Sequence, residues 1–457
     1  MLGHRLTTIV DCLWLGLLVQ LVAGRQAGIS SGQPQPPPLD LEPAAASAVT
    51  ATGTIRVGKS AAAQAATISA GVALVPLGQD RRWIIDVEPG VYRERVWVNA
   101  SIGPLTMRGL SASEDAVLLI YHCCPAGDGT PGCSNATVDK TCAPQHVGAG
   151  MSRGVETLLV EAADFMLLNM SVANDACGYN SKKAAQSETV QLLADRIAFR
   201  HTRMYGAQDT VFASAGETGN RQYFLQSFVN GSCDAIFGTS SMVWHDSQIA
   251  ITDHITAHRG DEFMWNAARG RRSNYIFYNC SLVKPMKGTA AYPAKNGGTE
   301  LGRPWGAMAA VVYHNCWMDS HIAKYGWGDW DHACDSGPGG GEGCTPTHEA
   351  NGSITKGNSS CWCQNTTFVE LGSYGPGASP PTRKRWAFTV TVAEDHPGGI
   401  LGALGLAGAL PRDAMGTWVP PFADPPAEAT WPSPWLPAWE PTYNMSRSTV
   451  KMTRNPL

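Results

Sequence analysis

One short phrase returns six times between residues 166 and 318, and it limits the fold more than any other feature of this chain. Residues 166–172, 199–204, 224–229, 243–249, 277–282 and 312–318 each form a brief run of apolar and polar residues in alternation. The runs recur at irregular intervals of about 20–36 residues, the range of a solenoid coil with inserted loops. Amphipathic stretches long enough for helices do not alternate with them, which argues against βαβ layers. Glycine (49) and proline (30) are abundant among the 457 residues, as many short strands and turns require. The expected fold is all-β, a parallel β-helix whose coils hide their inner faces by stacking on one another.

The flanks read differently. Residues 1–24 resemble a secretory signal: His4 and Arg5, an apolar run over 9–22, then Ala23 and Gly24 as a cleavage site. That run is too short to span a bilayer. Residues 25–53 are rich in proline and alanine and are expected to form a flexible leader. The solenoid is expected over 54–386, broken by cysteine-rich insertions at 121–152 and 331–363, with 387–457 as an extension packed on it. Losing Cys12 with the signal leaves an even twelve cysteines in an exported chain, which suits disulfides. Cys123, Cys124, Cys133 and Cys142 in the first insertion, and Cys334, Cys344, Cys361 and Cys363 in the second, are read as pins for loops poor in apolar material. No paired Cys-x-x-Cys spacing supports zinc there. Cys280 and Cys316 share a register and are either buried thiols or a bridge. Nine Asn-x-Ser/Thr sequons agree with a secretory route, although Asn169 and Asn279 fall inside strand-like runs. Charged residues make up only 16% and the net charge is −4, which gives no support to a nucleic-acid partner.

Chemistry concentrates in residues 206–238. Asp209 follows Gly206-Ala207-Gln208, and Asp234 precedes Ala235-Ile236-Phe237-Gly238, each set among apolar or β-branched neighbours. A carboxylate so placed needs a partner that keeps it charged or burial that keeps it protonated. Two carboxylates pushed opposite ways are what combined acid/base and nucleophilic chemistry uses. Arg303, in Leu301-Gly302-Arg303-Pro304-Trp305, is a candidate partner. Adjacent coils of a parallel solenoid lie about 4.8 Å apart, so Gln186, Gln208/Asp209 and Asp234 can stack as a column.

Gly90-Val91-Tyr92-Arg93-Glu94, Gln208-Asp209-Thr210, Asp234 with Ile236-Phe237-Gly238, and Leu301-Gly302-Arg303-Pro304-Trp305 together resemble the ordered motifs of pectin methylesterases. Weaker echoes occur at Ile255-Thr256-Ala257, Gly326-Trp327 and Tyr374-Gly375-Pro376-Gly377. The resemblance implies a right-handed parallel β-helix that hydrolyses methyl esters of polygalacturonate. It implies Asp234 as nucleophile, Asp209 as acid and then base, and Gln208 and Gln186 as oxyanion donors. Arg303 would hold Asp234 ionised, and Trp305 and Trp327 would stack on sugar. Tyr92 and Glu94 are read as structural turn residues.

The chain departs from the family pattern in three places. Gln186-Ser187-Glu188-Thr189-Val190-Gln191 stands where Gln-Ala-Val-Ala-Leu is usual, leaving Glu188 or Gln191 as other occupants of the first oxyanion position beside Gln186. Ala235 and Glu300 replace aromatics, which would trim stacking on the polymer. The expectation is a secreted, monomeric cell-wall esterase acting on methyl-esterified polyuronide, with no cofactor, metal, nucleic acid or membrane. The competing class is a non-catalytic wall-binding β-helix. No Gly-x-Ser-x-Gly or His-Glu-x-x-His motif supports another hydrolase.

Overall fold

A computed structural model describes residues 53–124, 145–146, 152–176, 187–214, 220–232, 234–251, 256–257, 274–284, 297–304, 310–328, 367–378, 382–383, 388–392 and 450–454. The signal, the leader, nearly all of both cysteine-rich insertions and most of the extension lie outside them. The strands stack in parallel into three faces. The first face includes Trp83–Val87, Leu105–Gly109, Arg221–Leu225, Ser241–His245, Asn274–Tyr278, Ala310–His314 and Thr367–Leu371. The second includes Val117–Tyr121, Phe228–Gly231 and Gln248–Ile251. Phe165–Asn174 and Ile197–Tyr205 run through the bend between the two. The third is a five-stranded sheet of three-residue strands: Val96–Val98, Leu158–Val160, Val190–Leu192, Val211–Ala213 and Ile236–Gly238. This is the expected parallel β-helix.

Inward side chains of the first face form a column of rings. Phe199, Phe224, Trp244, Phe277 and Tyr313 share one register on successive coils and are fully buried. Centroid separations of 5.3, 3.9, 6.3 and 4.6 Å put each ring against the next. Each such buried side chain contributes about 1.5–3 kcal/mol, so the column is a main source of stability. Tyr313 ends it, with its hydroxyl donating to the Leu301 carbonyl at 2.8 Å.

The bend between the first two faces is made by one left-handed residue per coil. Asn169, His201, Gln226, Asp246, Asn279 and Asn315 all have φ between 48° and 56°, and Gly372 continues the series at 58°. Small polar residues tolerate this conformation best. Their side chains also join hands: His201 Nε2 lies 2.8 Å from Gln226 Oε1, Asn279 Nδ2 donates to Asp246 Oδ1 at 2.7 Å, and Asn315 Nδ2 donates to Asn279 Oδ1 at 2.7 Å. After five of these bends, from His201 to Asn315, the next residue points a small donor back two residues, Thr202 by its hydroxyl. Ser227 and Ser247 use hydroxyls, while Cys280 and Cys316 use thiols at 3.4 Å. Both cysteines are buried and free, because the fold uses them as serine substitutes. Cys123 and Cys124, at the mouth of the first insertion, are disulfide-bonded. Two sequons belong to the framework: Asn230 is buried, and the Asn279 amide is committed to the ladder.

At the first coil, helix Ile68–Ala73 buries Ile68 and Val72. Thr67 caps it through Ala70 N–H, and Glu94 accepts from Ile68 and Ser69 N–H at 2.7 and 2.9 Å, which satisfies otherwise orphaned donors. Tyr92 donates to the Glu88 carbonyl. At the other end the fully buried Arg383 forms a fork on Glu370 (2.8 and 3.2 Å) and donates to the carbonyls of Ala323, Lys324 and Gly377. Strand Phe388–Val392 then pairs antiparallel with Val450–Arg454.

Candidate active site

The short third face carries a second internal repeat. Glu156-Thr157-Leu158-Leu159-Val160, Glu188-Thr189-Val190-Gln191-Leu192, Asp209-Thr210-Val211-Phe212-Ala213 and Asp234-Ala235-Ile236-Phe237-Gly238 lie one above another, because Leu158 pairs with Val190, Val190 with Val211 and Val211 with Ile236. Each unit is an acid, a residue that closes the corner, then a buried three-residue strand. Thr157, Thr189 and Thr210 hydroxyls donate to the carbonyls of Ala173, Tyr205 and Ala207. In the fourth unit the corner is tighter. A Cβ on Gly231 would sit 2.5 Å from both Ala235 Cβ and Thr210 Oγ1, so Ala235 is buried in the core and has no part in stacking on a ligand.

This corner brings Asp209 and Asp234 together, both left-handed at φ 65° and 51°. The Arg303 guanidinium reaches Asp234 with Nη2 at 2.8 Å from Oδ2 and 3.0 Å from Oδ1, and with Nε at 3.3 Å from Oδ1. The pair keeps contact with solvent, at 22% and 13% side-chain exposure. Such a fork fixes a carboxylate's orientation and supplies its counter-charge. Asp209 is only 2% exposed. Burial pushes its carboxyl well above the usual carboxylate range, and the charges of Glu188 and Asp234 push further; Arg303 and a hydrogen bond from the Gln208 side chain pull back. One acid thus has a fixed counter-charge, while burial favours the protonated form of its neighbour.

Arg303 is held from behind. Strand Arg303–Pro304 pairs in parallel with Thr256–Ala257, which packs on the Asp234 coil. Gly302 bridges to Trp327, and Leu301 N–H donates to the Gly326 carbonyl. The 323–328 strap making these bonds is anchored by Arg383.

Sequence reasoning brought Gln208, Asp209, Asp234 and Arg303 to one place. Gln186 and Trp305 lie outside the described residues. Counting 22 residues back from Gln208 selected Gln186, yet this coil has 21, because Val190 pairs with Val211. Ser187 is therefore level with Gln208, and its N–H donates to the Gln208 carbonyl at 3.1 Å. Gln191 is level with Phe212, on the strand beyond the corner. Trp327 is a correction: it is 0% exposed in the core, packed against Tyr313 and Phe368, because the Gly302 bridge turns its indole inward. Glu300 packs against Gly328, where a Cβ would meet its carboxyl at 1.9 Å. Glu188, fully buried and level with Asp209, was only a possible occupant in the sequence reading.

Residues 127–336 match the Pectinesterase family profile. Among curated relatives, Pectinesterase 31 of Arabidopsis thaliana is 26% identical over 342 residues, covering 74% of this chain and 87% of the relative. Pectinesterase 1 of Olea europaea is 22% identical, covering 86% of both. Among solved structures, carrot pectin methylesterase superposes with a TM-score of 0.53 at 19% identity, covering 76% of this chain and 92% of the other. The Aspergillus niger enzyme gives 0.51 at 19%, covering 75% and 92%. These neighbours are right-handed parallel β-helices, and the same fold holds here. Profile, relatives and fold all liken the chain to pectinesterases.

Proposed function

We propose that the chain is a pectin methylesterase, hydrolysing methyl-esterified galacturonate to a free carboxylate and methanol. The observation that carries the chemistry is the asymmetric pair: Asp234 in the Arg303 fork and Asp209 buried beside it. Asp234 Oδ attacks the ester carbonyl, forming a C–O bond and a tetrahedral oxyanion. The Gln208 amide donates to that oxyanion. The intermediate collapses with cleavage of the bond to methoxide, which takes the proton from Asp209 and leaves as methanol, giving an acyl-Asp234 anhydride. Water then attacks the acyl carbonyl and passes a proton to Asp209. Release of the galacturonate acid restores Asp234 as carboxylate and Asp209 as acid, so protons balance over the cycle. The protein acts outside the cell on the wall polymer, as a monomer. No helix among the described residues is long and apolar enough to cross a membrane.

A second reading, a wall-binding β-helix without turnover, is favoured by one observation: Ser187, not a glutamine, is level with Gln208. Methanol release from highly methyl-esterified pectin, measured for wild type and Asp234→Asn, separates the two. Release by wild type alone supports the esterase. Equal release from both sinks Asp234 as nucleophile. No release from a folded wild type that still retains pectin selects the binding module.

A further inference from the structure

Trp97 is the bulkiest of the exposed apolar side chains among the described residues, 49% open to water on strand Val96–Val98. Val96 and Val98 are buried in the core, so Trp97 faces outward. Its indole N–H donates to Glu161 Oε2 at 2.9 Å, which fixes the ring against the next coil. Alternation carries the next outward position to Asn99, itself partly exposed. Trp97-Val98-Asn99-Ala100-Ser101 is thus an Asn-x-Ser sequon with an aromatic residue two places ahead of the asparagine. A turn presents it. Ile102 N–H donates to the Asn99 carbonyl at 2.9 Å, and Ser101 N–H to Asn99 Oδ1 at 2.8 Å. Asn99 Nδ2, the atom that N-glycosylation modifies, has no hydrogen bond among the described residues. The other described sequons differ. Asn230 is buried, Asn279 commits its Nδ2 to Asp246, and the Asn169 sequon has its serine, Ser171, buried against Glu114 and Asp115.

We propose that Asn99 is N-glycosylated as the chain is exported, and that the first N-acetylglucosamine packs on Trp97. Asn99 Nδ2 attacks the anomeric carbon of a lipid-diphosphate-linked oligosaccharide. A C–N bond forms, the C–O bond to the diphosphate breaks, Nδ2 gives one proton to a base of the transferase, and the lipid diphosphate leaves. Oδ1 stays an acceptor, so the bond from Ser101 N–H survives the modification. Two strand residues span about 6.6 Å, which brings the sugar within reach of the indole, and the ring offers a broad apolar surface to the sugar's C–H face. The polymer substrate also carries sugar rings, but the outward row argues against it here. Leu159, Gln191, Phe212 and Phe237 follow Trp97 coil by coil toward the Asp234 corner at 2–5% exposure, so this row offers no open track between the two.

The full chain is produced in a secreting eukaryotic host as wild type, Ser101→Ala, Trp97→Ala and the double variant. Ser101→Ala removes the sequon but keeps Asn99 and its turn, because the Ser101 backbone is the donor. Peptide mass spectrometry should find a glycan on Asn99 in the wild type and none in Ser101→Ala. Hydroxyl-radical footprinting should oxidise Trp97 severalfold more slowly in the glycosylated wild type than in Ser101→Ala. The denaturant midpoint of the glycosylated fraction should exceed that of Ser101→Ala, and the difference should vanish in the Trp97→Ala background. A bare Asn99 in protein recovered from the medium overturns the site. Equal oxidation of Trp97 with and without the glycan overturns the stacking, as does a midpoint difference that survives Trp97→Ala. Protein that stays inside the cell with every sequon bare overturns the proposal through its premise of export, and leaves the esterase reading to the methanol assay.

Discussion

Two corners of the same solenoid stack polar residues, left-handed along the first and at Asp209 and Asp234 in the second, and they do opposite things. At the first, His201, Gln226, Asp246, Asn279 and Asn315 link through neighbouring side chains, and Asn279 and Asn315 are exposed to water. Neutral amides can donate and accept in turn, so such a ladder extends without penalty. At the other, Glu188, Asp209 and Asp234 stack acids in or near the core. Carboxylates only accept, and like charges repel. A bend made mostly of neutral side chains needs no charged partner, whereas acids stacked together do, as Asp234 has in Arg303. The contrast marks the site more clearly than burial or backbone strain alone, since both corners share the strain.

Substitutions at the two corners, and at the buried acid Glu370 as a matched control, test this contrast. Asp234→Asn should lower methanol release by roughly 10⁴-fold or more, the scale of a lost nucleophile, without changing the unfolding midpoint; retained turnover would make the acidic corner another structural ladder. Arg383→Met should destabilise by about 3–5 kcal/mol in chemical denaturation, because it strands buried Glu370, and adding Glu370→Met should recover much of it. Equal losses in single and double variants would contradict the pairing. Arg303→Met should cost about 2–3 kcal/mol in kcat/KM and much less in stability, since its partner keeps contact with water; the reverse pattern would make Arg303 a structural strut. Asn279→Ala, at the amide corner, should cost about 1–2 kcal/mol of stability through a lost hydrogen bond and a left-handed alanine, with kcat unchanged.

Much of this was legible in the sequence. The six recurring runs became stacked coils because alternation in a strand reports directly on which side chains face the core. Asp209, Asp234 and Arg303 converged as the motifs implied. The acidic repeat was harder to see, since its strands are only three residues long and its acids vary between Glu and Asp. Aligning Glu188-Thr189-Val190 with Asp209-Thr210-Val211 would have exposed it. The Gln186 assignment counted 22 residues back from Gln208, but Val190 pairs with Val211, 21 residues on. The amide ladder escaped notice because its residue types differ; what they share is the Ser, Thr or Cys that follows. Trp327 shows the limit of a motif, for an aromatic beside glycine serves a surface or a core equally well, and only the Gly302 bridge decides.

The antiparallel return of Val450–Arg454 along Phe388–Val392 has a consequence for the molecule as an object. A stack of parallel strands ends in a row of open backbone groups, and a second molecule could dock there and continue the stack into a filament. A reversed strand breaks the coil geometry that such growth would need to copy. At the opposite end, helix Ile68–Ala73 lies against the first coils. With both ends so finished, an enzyme built like a segment of fibre can stay a particle small enough to diffuse through a polymer mesh.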